Sequence, residues 1–211
     1  MIPPVEDLKK AVRAARVIPV MVLDNVDAAI PLAEALVEGG LNVLEVTLRT
    51  PNALKIIKEM ARVKGAIVGS GTVRNLEQMR QSEEAGCSFM VSPGAPIGLL
   101  EAAKDVSIPL LPGIASPSEA MTAADMGYSF LKFFPAEAMG GPNVLKAMAS
   151  PFPDLSFCPT GGISLANAPT YLNLPNVICV GGSWITPHQA IAASDFALIR
   201  QLAREVKING L

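Results

Sequence analysis

The chain has 211 residues, half of them hydrophobic, enough for one domain with a substantial core; 17 basic against 19 acidic residues leave a formal net charge of −2. No basic stripe stands out, so nucleic acid is not an expected partner, while an anionic small molecule needs only one or two local cations. Cys87, Cys158 and Cys179 are scattered and odd in number, which fits reduced, buried thiols in a cytoplasmic protein rather than a disulfide framework.

The opening Met1-Ile2-Pro3-Pro4-Val5-Glu6-Asp7 lacks a charged segment followed by an apolar one, so no signal peptide is expected. No apolar run reaches the ~18 residues of a membrane span. Residues 5–15 read as an extra N-terminal helix, placed to cover one end of the fold. Apolar strand-like runs then occur at 17–23, 42–48, 66–70, 89–91, 109–111, 129–134, 155–158 and 177–180. Stretches with helical periodicity separate them, among them 28–37, 53–61 and 76–85. Strand centres recur about every 22 residues, a regular internal period. Short apolar strands alternating with amphipathic helices imply βαβ units and a parallel sheet. Eight such units predict a closed (β/α)8 TIM barrel, one domain over residues 1–211. Gly39-Gly40, Gly65, Gly86 and Gly127 stand where helices should stop and lead into strands.

A barrel of this kind carries its active site at the C-terminal ends of the strands. In the second strand, alternation puts Val43, Glu45, Thr47 and Arg49 on one face and Leu44, Val46 and Leu48 on the other. An inward Glu, Thr and Arg is expensive unless they serve each other or a ligand. They form either a structural ion pair or a site, with Glu45 moving protons and Arg49 gripping a carboxylate. In the sixth strand, Lys132 stands among Tyr128, Phe130, Leu131, Phe133 and Phe134. Desolvation disfavours the ammonium, and a Schiff-base lysine needs the neutral amine. The alternative is a lysine whose head reaches solvent at the strand end.

Thr160-Gly161-Gly162 follows the seventh strand and Gly181-Gly182-Ser183 the eighth. Glycine pairs are common in turns, but barrels often bind phosphate at these two loops through backbone N–H groups. The single histidine, His188, follows Pro187 near the start of the last helix and reads as a surface or capping residue. Without a His or Cys ligand cluster, no metal is expected.

The segments Val17-Ile18-Pro19-Val20, Gly40-Leu41-Asn42-Val43-Leu44-Glu45-Val46-Thr47-Leu48-Arg49-Thr50, Gly69-Ser70-Gly71-Thr72-Val73, Ser92-Pro93-Gly94, Leu111-Pro112-Gly113, Phe130-Leu131-Lys132-Phe133-Phe134-Pro135-Ala136-Glu137 and Pro159-Thr160-Gly161-Gly162-Ile163 carry a resemblance across nearly the whole chain. It resembles the 2-keto-3-deoxy-6-phosphogluconate aldolases, which also act as 4-hydroxy-2-oxoglutarate aldolases. The resemblance implies a class I aldolase without cofactor or metal, releasing pyruvate and glyceraldehyde 3-phosphate. It implies Lys132 as the Schiff-base residue, Glu45 as acid and base, and Arg49 and Thr72 at the substrate carboxylate. It implies Thr160, Phe134 and Pro93 around the substrate, and phosphate against Gly161, Gly162, Gly181, Gly182 and Ser183. It further implies a homotrimer acting on small molecules, away from membranes. Two other readings fit a phosphate-binding barrel: an isomerase or epimerase, and a non-catalytic sugar-phosphate binding protein.

Overall fold

The apolar runs of the chain form short strands and the Ala-, Leu- and Glu-rich stretches between them form helices. The computed structural model describes residues 5–208 and Gly210. Met1, Ile2, Pro3 and Pro4, where the signal-peptide reading begins, lie outside the described residues, as do Asn209 and Leu211. The strands are β1 (Val17–Met21), β2 (Val43–Thr47), β3 (Ile67–Gly71), β4 (Phe89–Val91), β5 (Leu110–Leu111), β6 (Gly113–Ile114), β7 (Phe130–Phe133), β8 (Ser156–Pro159) and β9 (Val180–Gly182). The helices are α1 (Glu6–Ala15), α2 (Ala29–Glu38), α3 (Ala53–Met60), α4 (Leu76–Glu84), α5 (Ile97–Ala102), α6 (Pro117–Asp125), α7 (Gly141–Met148), α8 (Ala168–Leu172), α9 (His188–Ala192) and α10 (Phe196–Ile208).

Each pairing between these strands is parallel. One arc runs β5-β4-β3-β2-β1-β9 and a second runs β6-β7-β8. Pro112 alone separates β5 from β6, and isolated parallel bridges, Phe157 to Val177 and Thr160 to Gly181, link β8 to the β9 segment. The strand expected at 109–111 is thus two pieces, because proline has no N–H to give to a ladder. The Pro112 carbonyl still accepts from Lys132 N at 2.9 Å.

The last strand also departs from expectation. It covers Val180–Gly182 rather than 177–180, with Val17, Ile18 and Pro19 of β1 as register partners. The apolar residues before Val180 dominate the sequence signal, whereas the glycines that carry the ladder have no strand preference of their own.

Side-chain alternation sorts the core into two bodies. Leu44, Val46, Leu131 and Phe133 face the helices and pack with Leu32, Leu36, Ile56 and Ile57. Val43, Phe89, Val91, Leu111, Phe130, Cys158 and Cys179 meet one another inside the strands. Leu8 and Val12 of α1 join that inner cluster, so the extra N-terminal helix covers the inner core, as expected. Gly40, Gly65, Gly86 and Gly127 all take positive φ, between 88° and 95°, after their helices.

Candidate active site

Glu45 on β2 and Lys132 on β7 point into the space between the strands, one register above the inner apolar cluster. Val43 and Phe130, two residues earlier on the same faces, belong to that cluster. The two charged residues are 3 % and 6 % exposed. Lys132 Nζ lies 3.5 Å from Glu45 Oε1, so each charge is compensated by the other. Lys132 is buried with its head on Glu45 rather than extended to solvent at the strand end, and the partner of Glu45 is Lys132 rather than Arg49. Removing either partner would leave an uncompensated buried charge. Thr47, next on the same face, satisfies its hydroxyl by donating to the Met21 carbonyl at 3.0 Å.

Clearance around this pair depends on glycine. A Cβ on Gly71, at the end of β3, would stand 2.2 Å from Glu45 Oε1. The next residue, Thr72, is β-branched yet holds φ at 62°, a conformation that costs energy and recurs at functional sites. The Phe134 ring centroid lies 5.2 Å from Lys132 Nζ, within the ~6 Å reach of a cation–π contact.

Phe134 also lines a cleft of about 580 Å³ at the C-terminal ends of the strands, a volume suited to a small ligand. Cleft and buried pair therefore meet at this ring. Arg49, Thr160, Gly161, Gly162, Gly181, Gly182 and Ser183 line the same cleft. Thr72 and Pro93 do not line it. They follow β3 and β4, on the far side of β2 from β1 and β9. Arg49 is exposed and, among the described residues, makes no ion pair. Its guanidinium is free for a ligand.

Gly161 and Gly162 take φ of 102° and 79°. Among the described residues, the backbone N–H groups of Gly162, Ile163 and Ser183 donate to no protein acceptor, whereas Gly161 takes part in the bridge between Thr160 and Gly181. Three unclaimed donors along one cleft suit an anion. Gly181 and Gly182 lie within β9 rather than after it, so the second loop proper begins at Ser183. A Cβ on Gly181 would stand 2.4 Å from Thr160 Oγ1, which explains glycine in a strand at that point.

His188 lines the cleft too, an assignment the sequence reading lacks. It is exposed, opens the short α9 rather than the last helix, and makes no side-chain cap. Arg49 and His188 are the titratable side chains among the cleft-lining residues. Among the described residues, no three of His, Cys, Asp and Glu come together in a metal-sized group. The steric role of Gly71 has no signature in the sequence, because it depends on a partner 26 positions away in another strand.

The family model for KDPG and KHG aldolase matches residues 8–202. The chain is 52% identical to the 2-dehydro-3-deoxy-phosphogluconate aldolase of Pseudoalteromonas atlantica, over 90% of this chain and 88% of that one. Among solved structures it resembles the KDPG aldolase of Legionella pneumophila with pyruvate captured as a covalent carbinolamine intermediate. There the TM-score is 0.91 and the identity 47%, covering 94% of this chain and 97% of that one. It equally resembles the 2-keto-3-deoxy-6-phosphogluconate aldolase of Zymomonas mobilis with 3-phosphoglycerate, at TM-score 0.91 and 49% identity, covering 96% of each chain.

Proposed function

The chain belongs to the KDPG and KHG aldolase family, and from that premise we propose that Lys132 is its Schiff-base residue and Glu45 its acid and base. The protein is a class I aldolase, an aldehyde-lyase. It cleaves 2-keto-3-deoxy-6-phosphogluconate to pyruvate and glyceraldehyde 3-phosphate, and 4-hydroxy-2-oxoglutarate to pyruvate and glyoxylate. The observation that carries the assignment of residues is the buried contact of 3.5 Å between Lys132 Nζ and Glu45 Oε1. A single proton transfer to the carboxylate turns the ammonium into the amine that attacks a ketone.

The neutral amine adds to C2 of the keto acid and forms a carbinolamine, whose hydroxyl leaves as water when Glu45 supplies the proton. The resulting iminium is an electron sink. Glu45, now a carboxylate, takes the proton of the C4 hydroxyl. The C3–C4 electron pair flows into the iminium, and the aldehyde departs. The enamine is reprotonated at C3, and water adds to C2 to release pyruvate and the free amine. The captured carbinolamine of the Legionella relative supports the first step.

Arg49 holds the substrate carboxylate with two parallel hydrogen bonds, helped by Thr72. Thr160, Phe134 and Pro93 surround the carbon chain. The phosphate lies against Gly161, Gly162, Gly181, Gly182 and Ser183, supported by the unclaimed N–H groups of the two loops and by the 3-phosphoglycerate of the Zymomonas relative. The two strand arcs close into an eight-stranded barrel, counting β5 and β6 as one interrupted strand. The continuity at Pro112 and the Thr160–Gly181 bridge support closure. Subunits associate as a homotrimer, for which exposed Val22, Ile97 and Met121 offer apolar surface. The setting is cytoplasmic, in keeping with three unpaired, buried thiols. Among the described residues, no helix is long and apolar enough to cross a membrane.

The test is borohydride reduction in the presence of pyruvate. The expected result is loss of activity with a stable adduct mapped to Lys132. An adduct on another lysine removes the assignment, and no adduct at all returns the protein to the isomerase or binding-protein readings.

A further inference from the structure

Beneath the first glycine loop lies a pair of side chains that the reaction does not use. Glu137, five residues beyond Lys132, donates its backbone N–H to the Gly161 carbonyl at 3.1 Å, while Ala136 N donates to the Thr160 carbonyl at 2.8 Å. The stem of Glu137 lies flat under the loop: a Cβ on Gly162 would stand 2.6 Å from its Cγ and 2.7 Å from its Cβ. The carboxylate is held from the other side by Tyr171 of α8, whose hydroxyl donates to Oε1. Tyr171 is fully buried. Burial, reinforced by the Glu137 carboxylate, pushes its hydroxyl above the ordinary value, so it remains a donor.

The arrangement solves two problems at once. Thr160 is held by its N–H bond to the Phe133 carbonyl at 2.9 Å and by the bridge to Gly181, but Gly162 and Ile163 beyond it have unclaimed N–H groups, and both glycines take positive φ. Asn167 steadies one flank, donating to the Gly162 carbonyl at 3.0 Å and accepting from Ser164 N at 2.7 Å. A carboxylate so near an anion site would also repel the ligand. Glu137 does not line the cleft, and its bond to Tyr171 ties the charge to α8.

We propose that Glu137 and Tyr171 are positioning residues for the distal phosphate of the substrate: the tyrosine fixes the glutamate, and the glutamate fixes Gly161 and Gly162. The inference rests on reading this loop as the phosphate site. Its mark is a split between affinity for the phosphorylated substrate and chemistry at Lys132, which a purely structural role would not produce.

The experiment compares Tyr171→Phe, Glu137→Ala and Glu137→Gln with the parent enzyme. The readouts are kcat and KM for 2-keto-3-deoxy-6-phosphogluconate, proton exchange at the pyruvate methyl group, and thermal melting. Tyr171→Phe and Glu137→Ala should raise KM about five- to tenfold, as loss of one part-buried hydrogen bond to a charged group suggests, with kcat and exchange within about twofold. Glu137→Gln still accepts from the tyrosine and should restore KM. Glu137 is exposed overall, so Glu137→Ala carries the test if Tyr171→Phe does not fold. Unchanged KM in both variants overturns the proposal, as does a joint fall of kcat and exchange. Ser183→Asp separates the positioning role of Glu137 and Tyr171 from the phosphate site itself. It sets a carboxylate on the other loop, away from Glu137, and should weaken phosphate binding by repulsion. If Ser183→Asp leaves KM unchanged, the phosphate reading itself fails. If it raises KM while the Glu137 and Tyr171 variants do not, the positioning role alone fails.

Discussion

Lys132 and Glu45 define each other. Each is buried to a degree that a charged side chain tolerates only with a partner, and their contact supplies it. Alternation along β2 is enough to aim Glu45 inward, but both faces of the Lys132 strand are apolar, so the sequence left open whether the lysine turns inward or carries its head to solvent at the strand end. What alternation could not show was the choice of partner, because Arg49 shares the face of Glu45 and lies four residues away. The structure turns Arg49 into the cleft and gives Glu45 to the lysine. Glu45→Gln should therefore lower turnover by ~10²–10⁴, the range for a lost acid or base, with the fold retained. Gly71→Ala is a sharper probe, since its methyl would stand 2.2 Å from Oε1 and must displace the carboxylate. Steady-state turnover of Gly71→Ala should fall toward that of Glu45→Gln while substrate KM moves little. Near-parental turnover in both would reduce Glu45 to a counter-ion.

Strands and their turns set the two ends of the cleft. Arg49 follows β2, while the Gly161–Gly162 and Ser183 segments follow β8 and β9. The apolar runs gave away most strands and the glycines after helices gave away most stops, since both signals are local. The break at Pro112 and the late start of β9 were not legible for the same reason: each depends on which backbone pairs with which. Gly182 sits in a strand because a Cβ would meet the Trp184 ring at 1.6 Å, and no propensity encodes that. The separation of ends predicts separable defects. Gly162→Val would be strained at φ 79° and would crowd Glu137, deforming the anion end. Cleavage of the phosphorylated substrate should drop sharply while proton exchange at the pyruvate methyl persists. Arg49→Ala should lose both activities together, because each needs the carboxylate held beside the lysine. A Gly162 variant that loses exchange as severely as cleavage would show that the loop is not a separate subsite.

At the scale of the whole molecule, the groups buried outside the site make stability depend on alkaline pH. Burial pushes the Cys87 thiol from an ordinary 9.0 up to about 12, and raises Cys179 in the inner cluster well above 9.0 as well. Burial likewise takes Tyr128 from 10.0 to about 12, and its hydroxyl donates to the Leu100 carbonyl at 2.8 Å. All three are acids whose folded form keeps the proton longer than the unfolded chain does. Their contribution is complete below pH 9, where both states are protonated. It declines between pH 9 and 12, where the unfolded chain ionises and the folded one resists. The urea midpoint should hold steady from neutrality to pH 8.5 and then fall. Cys87→Ala lowers stability near neutral pH by leaving a small cavity, yet should flatten the alkaline decline, since one of the groups that drives it is gone. The same burial should protect the thiols from iodoacetamide in the native protein and release them in urea. An alkaline slope as steep in Cys87→Ala as in the parent, with Cys87 alkylated rapidly under native conditions, would show that this thiol is not held protonated by the fold.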